Sequence, residues 1–237
     1  MKTKPIFKLV GASAALVAIA VLSMSFKTPH VQAGQQSDED SEQSKIRIGY
    51  QIAPVHLNLE GKNRELVGLG SYIVNAQADC NGCNSQGPMT EYLPKGNPYT
   101  LSPPKGPFSG TPQVNPSTYL GGGRDFGPAE GLQHIYSRNL TPDRTGRPEG
   151  GHTYEEFLNI LRTGKDYDHI RSSCTGAPDG VCLPAPFNPD LLQIMPWPVD
   201  KNMSDHDIRA IYEYLSAIPC IDTNIPGAPV ILRNDCP

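Results

Sequence analysis

The sequence predicts a mostly α fold of three to four short helices joined by long irregular loops. Apolar residues recur at helical spacing in a few short stretches, helix-starting and helix-stopping residues bracket those stretches, and no segment alternates convincingly as a strand. The 237 residues include 23 Gly and 24 Pro. Both residues are unfavourable inside helices and strands, so much of the chain must be turn and loop. That composition excludes a helical bundle, a doubly wound sheet and a coiled coil, and the length fits one or two domains. Lys and Arg number 20 against 24 Asp and Glu, a balance that argues against nucleic acid as the main partner. One Trp and six Phe leave little to fill a core, so crosslinks or a large apolar cofactor are expected to help hold the chain together.

Taken in order, residues 1–33 read as a signal peptide. Lys2, Lys4 and Lys8 precede a nearly continuous apolar run from Leu9 to Phe26, and Val31-Gln32-Ala33 offers a small-residue cleavage site. The rival reading is an uncleaved anchor that keeps the chain at a membrane. Either one places the remainder in an exported, periplasm-like compartment. Residues 34–46 are polar and acidic and read as a disordered linker. Residues 47–237 are then the folded domain, ending in a Pro-rich tail that carries two cysteines.

Within that domain Arg64 to Cys80 forms one helix, with Leu66, Leu69, Tyr72, Ile73 and Ala76 as its apolar face. Residues 87–131 are a long loop, in which Gly121-Gly122-Gly123 is a turn. Thr153-Tyr154-Glu155-Glu156 spells a capping box, and the helix it starts stops at Gly164. Asn188-Pro189 starts a short helix through Leu191 and Leu192 that Pro196 ends. Ser204 caps a last helix, whose face is Ile208, Ile211, Tyr214, Leu215 and Ile218 and which Pro219 ends.

One motif carries chemistry. Cys80-Asn81-Gly82-Cys83 sets two thiols one helical turn apart. In exported proteins Cys-x-x-Cys-His attaches c-type haem, the thiols adding to the porphyrin vinyl groups and the next residue supplying an imidazole to the iron. Here the next residue is Asn84, a neutral amide that ligates iron weakly.

Five segments in order resemble the class I cytochrome c family, in particular the cytochrome c subunits associated with bacterial membrane dehydrogenases. They are Gly70–Asn75 before the dicysteine, Asn139-Leu140-Thr141-Pro142-Asp143, Arg162-Thr163-Gly164-Lys165-Asp166, Met195-Pro196-Trp197 and Asp207–Leu215. The resemblance spans residues 64–219 and departs from the family at Asn84. It implies a cytochrome c-like domain holding at most one haem c. Cys80 and Cys83 would be its covalent anchors, Asn84 would stand in the proximal-ligand position, and Met195 would be the distal iron ligand.

Candidate replacements for the missing imidazole are His56, His134, His152, His169 and His206, none of them adjacent to the dicysteine. Each reads first as a surface or hydrogen-bonded histidine, and Met89 reads as a packing residue in loop. Cys174, Cys182, Cys220 and Cys236 allow three disulfide connectivities. The short-range pairing Cys174–Cys182 with Cys220–Cys236 is preferred, and their spacings match no zinc pattern. No phosphate loop, dinucleotide fingerprint or nucleophile elbow is present. The expected function is therefore haem binding and electron transfer with altered proximal ligation, by a carrier rather than an enzyme, toward a redox partner protein or dehydrogenase subunit. The alternative is a haem-free scaffold serving as a binding or structural subunit of an exported complex.

Overall fold

The structure is a computed structural model that describes residues 33–101, 106, 108, 110–128, 134–167, 188, 190–223 and 234–237. The described residues hold seven α-helices, one π-helical turn and a single two-stranded antiparallel sheet, a mostly α chain as expected but with more helices than the three to four read from the sequence and with a strand pair that no alternation announced. The helices are α1 (Ala33–Ile52), α2 (Arg64–Tyr72), α3 (Cys80–Asn84), α4 (Pro148–Gly151), α5 (Tyr154–Thr163), α6 (Trp197–Asp200) and α7 (Asp205–Leu215). Strands β1 (Asp125–Pro128), inside the region expected to be loop, and β2 (His134–Tyr136), just beyond it, pair antiparallel with an irregular register.

The capping signals act where the sequence puts them. Asn63 starts α2, its side-chain oxygen accepting from the amides of Glu65 at 3.0 Å and Leu66 at 3.3 Å. Thr153 and Glu156 form both halves of the capping box on α5, and Gly164 ends that helix at φ 74°. Ser204 caps α7 by accepting from the Asp207 amide at 3.0 Å. All five residues expected on the buried face of the last helix are in the core.

The expected helix 64–80 is three pieces. Past Tyr72 the ladder widens into a π turn over Ile73–Gln77, with the Ala78 amide donating to the Ile73 carbonyl at 2.9 Å. Asn75 lies in that turn and reaches inward: its amide donates to the Ser71 carbonyl at 2.9 Å and the Tyr214 hydroxyl at 3.2 Å, while the Tyr119 hydroxyl donates to its oxygen at 2.5 Å. Asp79 then takes a left-handed φ of 47° and redirects the chain into α3.

Glycines, rather than the apolar stripe, mark where α2 is crossed. Ala76 is exposed, whereas Gly68, Gly70 and Ser71 are buried. At Gly70 an added Cβ would overlap the Ala210 carbonyl of α7 and lie 2.8 Å from the Tyr214 Cβ. On the neighbouring face, a Cβ on Gly68 would meet the Ile46 side chain at 2.7 Å, and the Ser71 hydroxyl donates to the Gly49 carbonyl of α1 at 2.7 Å. Leu69 and Ile73 of the expected face are in the core and Leu66 packs against it, but hydrophobic periodicity assigns no value to a missing side chain and so misses the glycine crossing.

The stretch expected as a linker is part of α1. Residues 34–44 carry no apolar anchor, but Ile46, Gly49 and Tyr50 pack the helix on α2, and Ile46 is 8 % exposed. The expected signal segment lies outside the described residues up to residue 32. The short helix expected at 188–192 is absent. The Asn188 side chain accepts from the Asp190 amide at 3.0 Å, and Leu191 forms a bridge with Lys165 instead.

Replacing Gly70 with Val drives a branched side chain into a backbone-to-backbone crossing. The expected loss is about 3 kcal/mol, the upper part of the usual overpacking range, against about 1 kcal/mol for removing the α5 cap with Thr153→Ala. Chemical denaturation of the two variants measures both.

Candidate functional site

Helix α3 is a single turn, and its neighbours hold its shape. Asn84 donates its side-chain amide to the Cys80 carbonyl at 3.0 Å, and its own carbonyl accepts from the Gly122 amide at 2.7 Å. Asn81 accepts the Leu120 amide at 2.9 Å, and the Arg124 guanidinium donates to the Gly82 carbonyl. The loop 118–124 therefore clasps the dicysteine turn. Leu120 in turn gives its carbonyl to the Leu140 amide at 2.8 Å.

The 139–143 segment ties that loop to the tail. Asn139 accepts the Thr141 amide at 3.0 Å and donates to the Ile221 carbonyl at 2.8 Å. Asn234 donates to the Thr141 carbonyl at 2.9 Å. Cys220 and Cys236 are joined as a disulfide across 16 residues, as expected, and fix the returning chain beside this loop. Cys174 and Cys182 lie outside the described residues.

A second platform carries the methionine turn. Trp197 lies against Gly164, where an added Cβ would strike the indole, and its ring N–H donates to the Leu192 carbonyl at 3.2 Å. The Leu192 amide donates to the Gly164 carbonyl at 2.7 Å, and the Asp166 amide donates to the Asp190 carbonyl at 2.9 Å. Asp166 is buried and paired with Arg138 at 2.5 Å. Arg162 reaches from α5 to the Lys201 carbonyl and to Asp205. The 162–166 and 195–197 segments, far apart in sequence, are thus one packed unit.

Both units reach the main apolar core. Cys80 and Met195 are both half-buried and packed against the same apolar cluster. Burial, then the carboxylates of Asp200 and Asp79, then Cys83 push the Cys80 thiol up to about 12, so it carries its proton at neutral pH. Asp200 ends α6, the helix into which the methionine turn leads, and burial raises its own pKa. Behind Cys80 the hydroxyls of Tyr119 and Tyr214 are 2.8 Å apart, and burial raises both.

The other candidates are elsewhere. Cys83 is exposed, and Met89, expected to pack, is 79 % exposed on a turn after Pro88. His56 is exposed. His152 lies 3.7 Å from Glu156 with its ring against Tyr167, and His206 lies at the surface 4.0 Å from Glu42. His169 is outside the described residues. Among the described residues no group of three or more His, Cys, Asp and Glu could hold a metal ion, and no helix is long and apolar enough to cross a membrane. The site residues that the sequence does not reveal are Asp79, Arg124 and Asp200. Gly164 and the Trp next to Met195 were visible as motif members, but their contact was not.

No protein-family model matches the chain, and no match is found among curated proteins or solved structures.

Gly164→Ala should displace the indole as well as strain a left-handed position. Gly61, at φ 67° with nothing within 4 Å of an added Cβ, is the control. Both changes should cost about 1–2 kcal/mol of backbone strain. Only Gly164→Ala should shift the emission of the single Trp to the red, read by steady-state fluorescence.

Proposed function

We propose that the chain is a cytochrome c-like haem-binding protein that works as an electron carrier with altered proximal ligation. The observation supporting this reading best is that two turns distant in sequence both pack on the main apolar cluster. Cys80 and Met195 each pack against that cluster, and Asp200, at the end of the methionine turn's helix, acts on the Cys80 thiol.

The donor set fits a covalently held haem in part. Cys80 and Cys83 supply two thiols one turn apart for thioether links, and Met195 supplies a soft thioether suited to haem iron. Asn84 does not fit the proximal role, because its amide already donates to Cys80 within its own turn. The haem would supply a one-electron redox centre, and a ligand set short of one imidazole would favour high-spin or exchangeable iron. The protein's own part is to hold the two turns at a fixed separation. The 162–166 platform fixes the methionine side, and the 118–124 loop fixes the cysteine side. Under this reading the chain exchanges electrons with an exported redox partner or dehydrogenase subunit and performs no catalysis of its own.

A specific observation favours the alternative of a haem-free scaffold. Asn75, Tyr119 and Tyr214 pair their polar groups with one another, so none of them needs a prosthetic group as partner, and the tail disulfide adds a constraint independent of any prosthetic group.

Producing the chain together with the c-type haem attachment machinery separates the two. The haem reading predicts a Soret band and an intact mass raised by one covalent haem. Asn84→His should raise occupancy and yield a low-spin His/Met spectrum. A colourless product of unmodified mass would overturn it in favour of the scaffold.

A further inference from the structure

The two cysteines of α3 differ in a way that the haem reading does not use. Cys83 is exposed, whereas Cys80, one turn earlier, is half-buried against the core. Elsewhere in the same chain Cys220 and Cys236 are joined as a disulfide, while Cys80 and Cys83 remain free thiols.

Helix geometry opposes direct closure of the pair. Residues three apart on a helix hold their Cβ atoms about 5–6 Å apart, but a disulfide needs about 3.5–4.5 Å. Closure therefore requires α3 to loosen. The turn resists this through Asn84 to the Cys80 carbonyl, Ser85 to the Asn81 carbonyl at 3.0 Å, Leu120 to Asn81 and Gly122 to the Asn84 carbonyl. The carboxylate of Asp79 is folded over Gly82, 2.6 Å from where a Cβ would stand.

We propose that, in the haem-free chain, Cys80 and Cys83 are a thiol–disulfide exchange centre, in which Cys83 is the attacking sulfur and Cys80 the slow resolving one. The Cys83 thiolate attacks one sulfur of an external disulfide. The S–S bond breaks, a mixed disulfide forms on Cys83, and the second sulfur leaves as a thiolate that takes up a proton. Cys80, on losing its proton, then attacks the Cys83 sulfur, expels the second external thiol and leaves a Cys80–Cys83 disulfide. One external disulfide is reduced by two electrons, and the dithiol is oxidised by the same two. The order is set by access at Cys83, and the held turn delays the second step, so the mixed disulfide accumulates. Covalent haem would consume both sulfurs, so the exchange belongs to chains without it and does not depend on the haem reading.

The test treats the full chain, produced without haem attachment machinery, with cystamine, followed by acid quench, intact mass and peptide mapping. The expected result is one cysteamine adduct at Cys83 that appears before any internal disulfide and persists in Cys80→Ser. In Cys83→Ser, labelling of Cys80 should be at least about tenfold slower than labelling of Cys83 in the unaltered chain. A first adduct at Cys80, equal labelling of the two sulfurs, or an internal disulfide with no preceding adduct would overturn the proposal. Mapping the unaltered chain decides the order even if a variant fails to fold.

Discussion

The close crossing of α2 and α7 at Gly70 and Ala210 is the constraint on which the rest depends. A side chain at Gly70 would occupy the space of the Ala210 carbonyl, so the two helices touch backbone to backbone. That contact brings Tyr214 within reach of Asn75 and Tyr119. The buried hydrogen bonds in turn draw the end of α2 into a π turn, and the π turn with the left-handed Asp79 aims α3. The orientation of the dicysteine turn is therefore inherited from a glycine ten residues before it. A polar network buried this deeply also makes the arrangement specific, since leaving any one of its groups unpaired would carry a desolvation cost.

Two further clasps complete the arrangement, each combining local turn chemistry with a distant anchor. Loop 118–124 holds α3, segment 139–143 holds that loop, and the disulfide-tied tail holds segment 139–143. On the other side the bare surface of Gly164 receives the indole of Trp197, which sets the turn carrying Met195. The chain thus spends its Pro- and Gly-rich segments on positioning two short turns rather than on extending regular structure.

Much of this was legible in the sequence where the signal is local. Thr153 with Glu156, Gly164 and Ser204 announce their helix ends through short-range hydrogen-bond chemistry, and the last helix announces its buried face through period. Signals that depend on a partner were not legible. Ala76 belongs to an apolar stripe yet faces solvent, because the helix is crossed at Gly68 and Gly70. Residues 34–46 read as linker because their docking residues begin only at Ile46 and the surface they meet is glycine. Asn188-Pro189 resembles a helix start, but pairing of Leu191 with Lys165 takes its place. At the site, Cys80, Cys83, Asn84 and Met195 stood out by type and order. The Asn84 amide turned back on its own helix, the Asp200 carboxylate near Cys80 and the Trp197–Gly164 contact are tertiary facts, and no spacing rule encodes them.

The central claim is that the dicysteine turn and the methionine turn border one shared space. A short thiol-reactive crosslinker applied to a Met195→Cys variant, followed by peptide mapping, tests it directly. The account predicts an intramolecular link between position 195 and Cys80 or Cys83 as a major product. Capping of position 195 and the two cysteines separately, with no link between them at any reagent concentration, would contradict it.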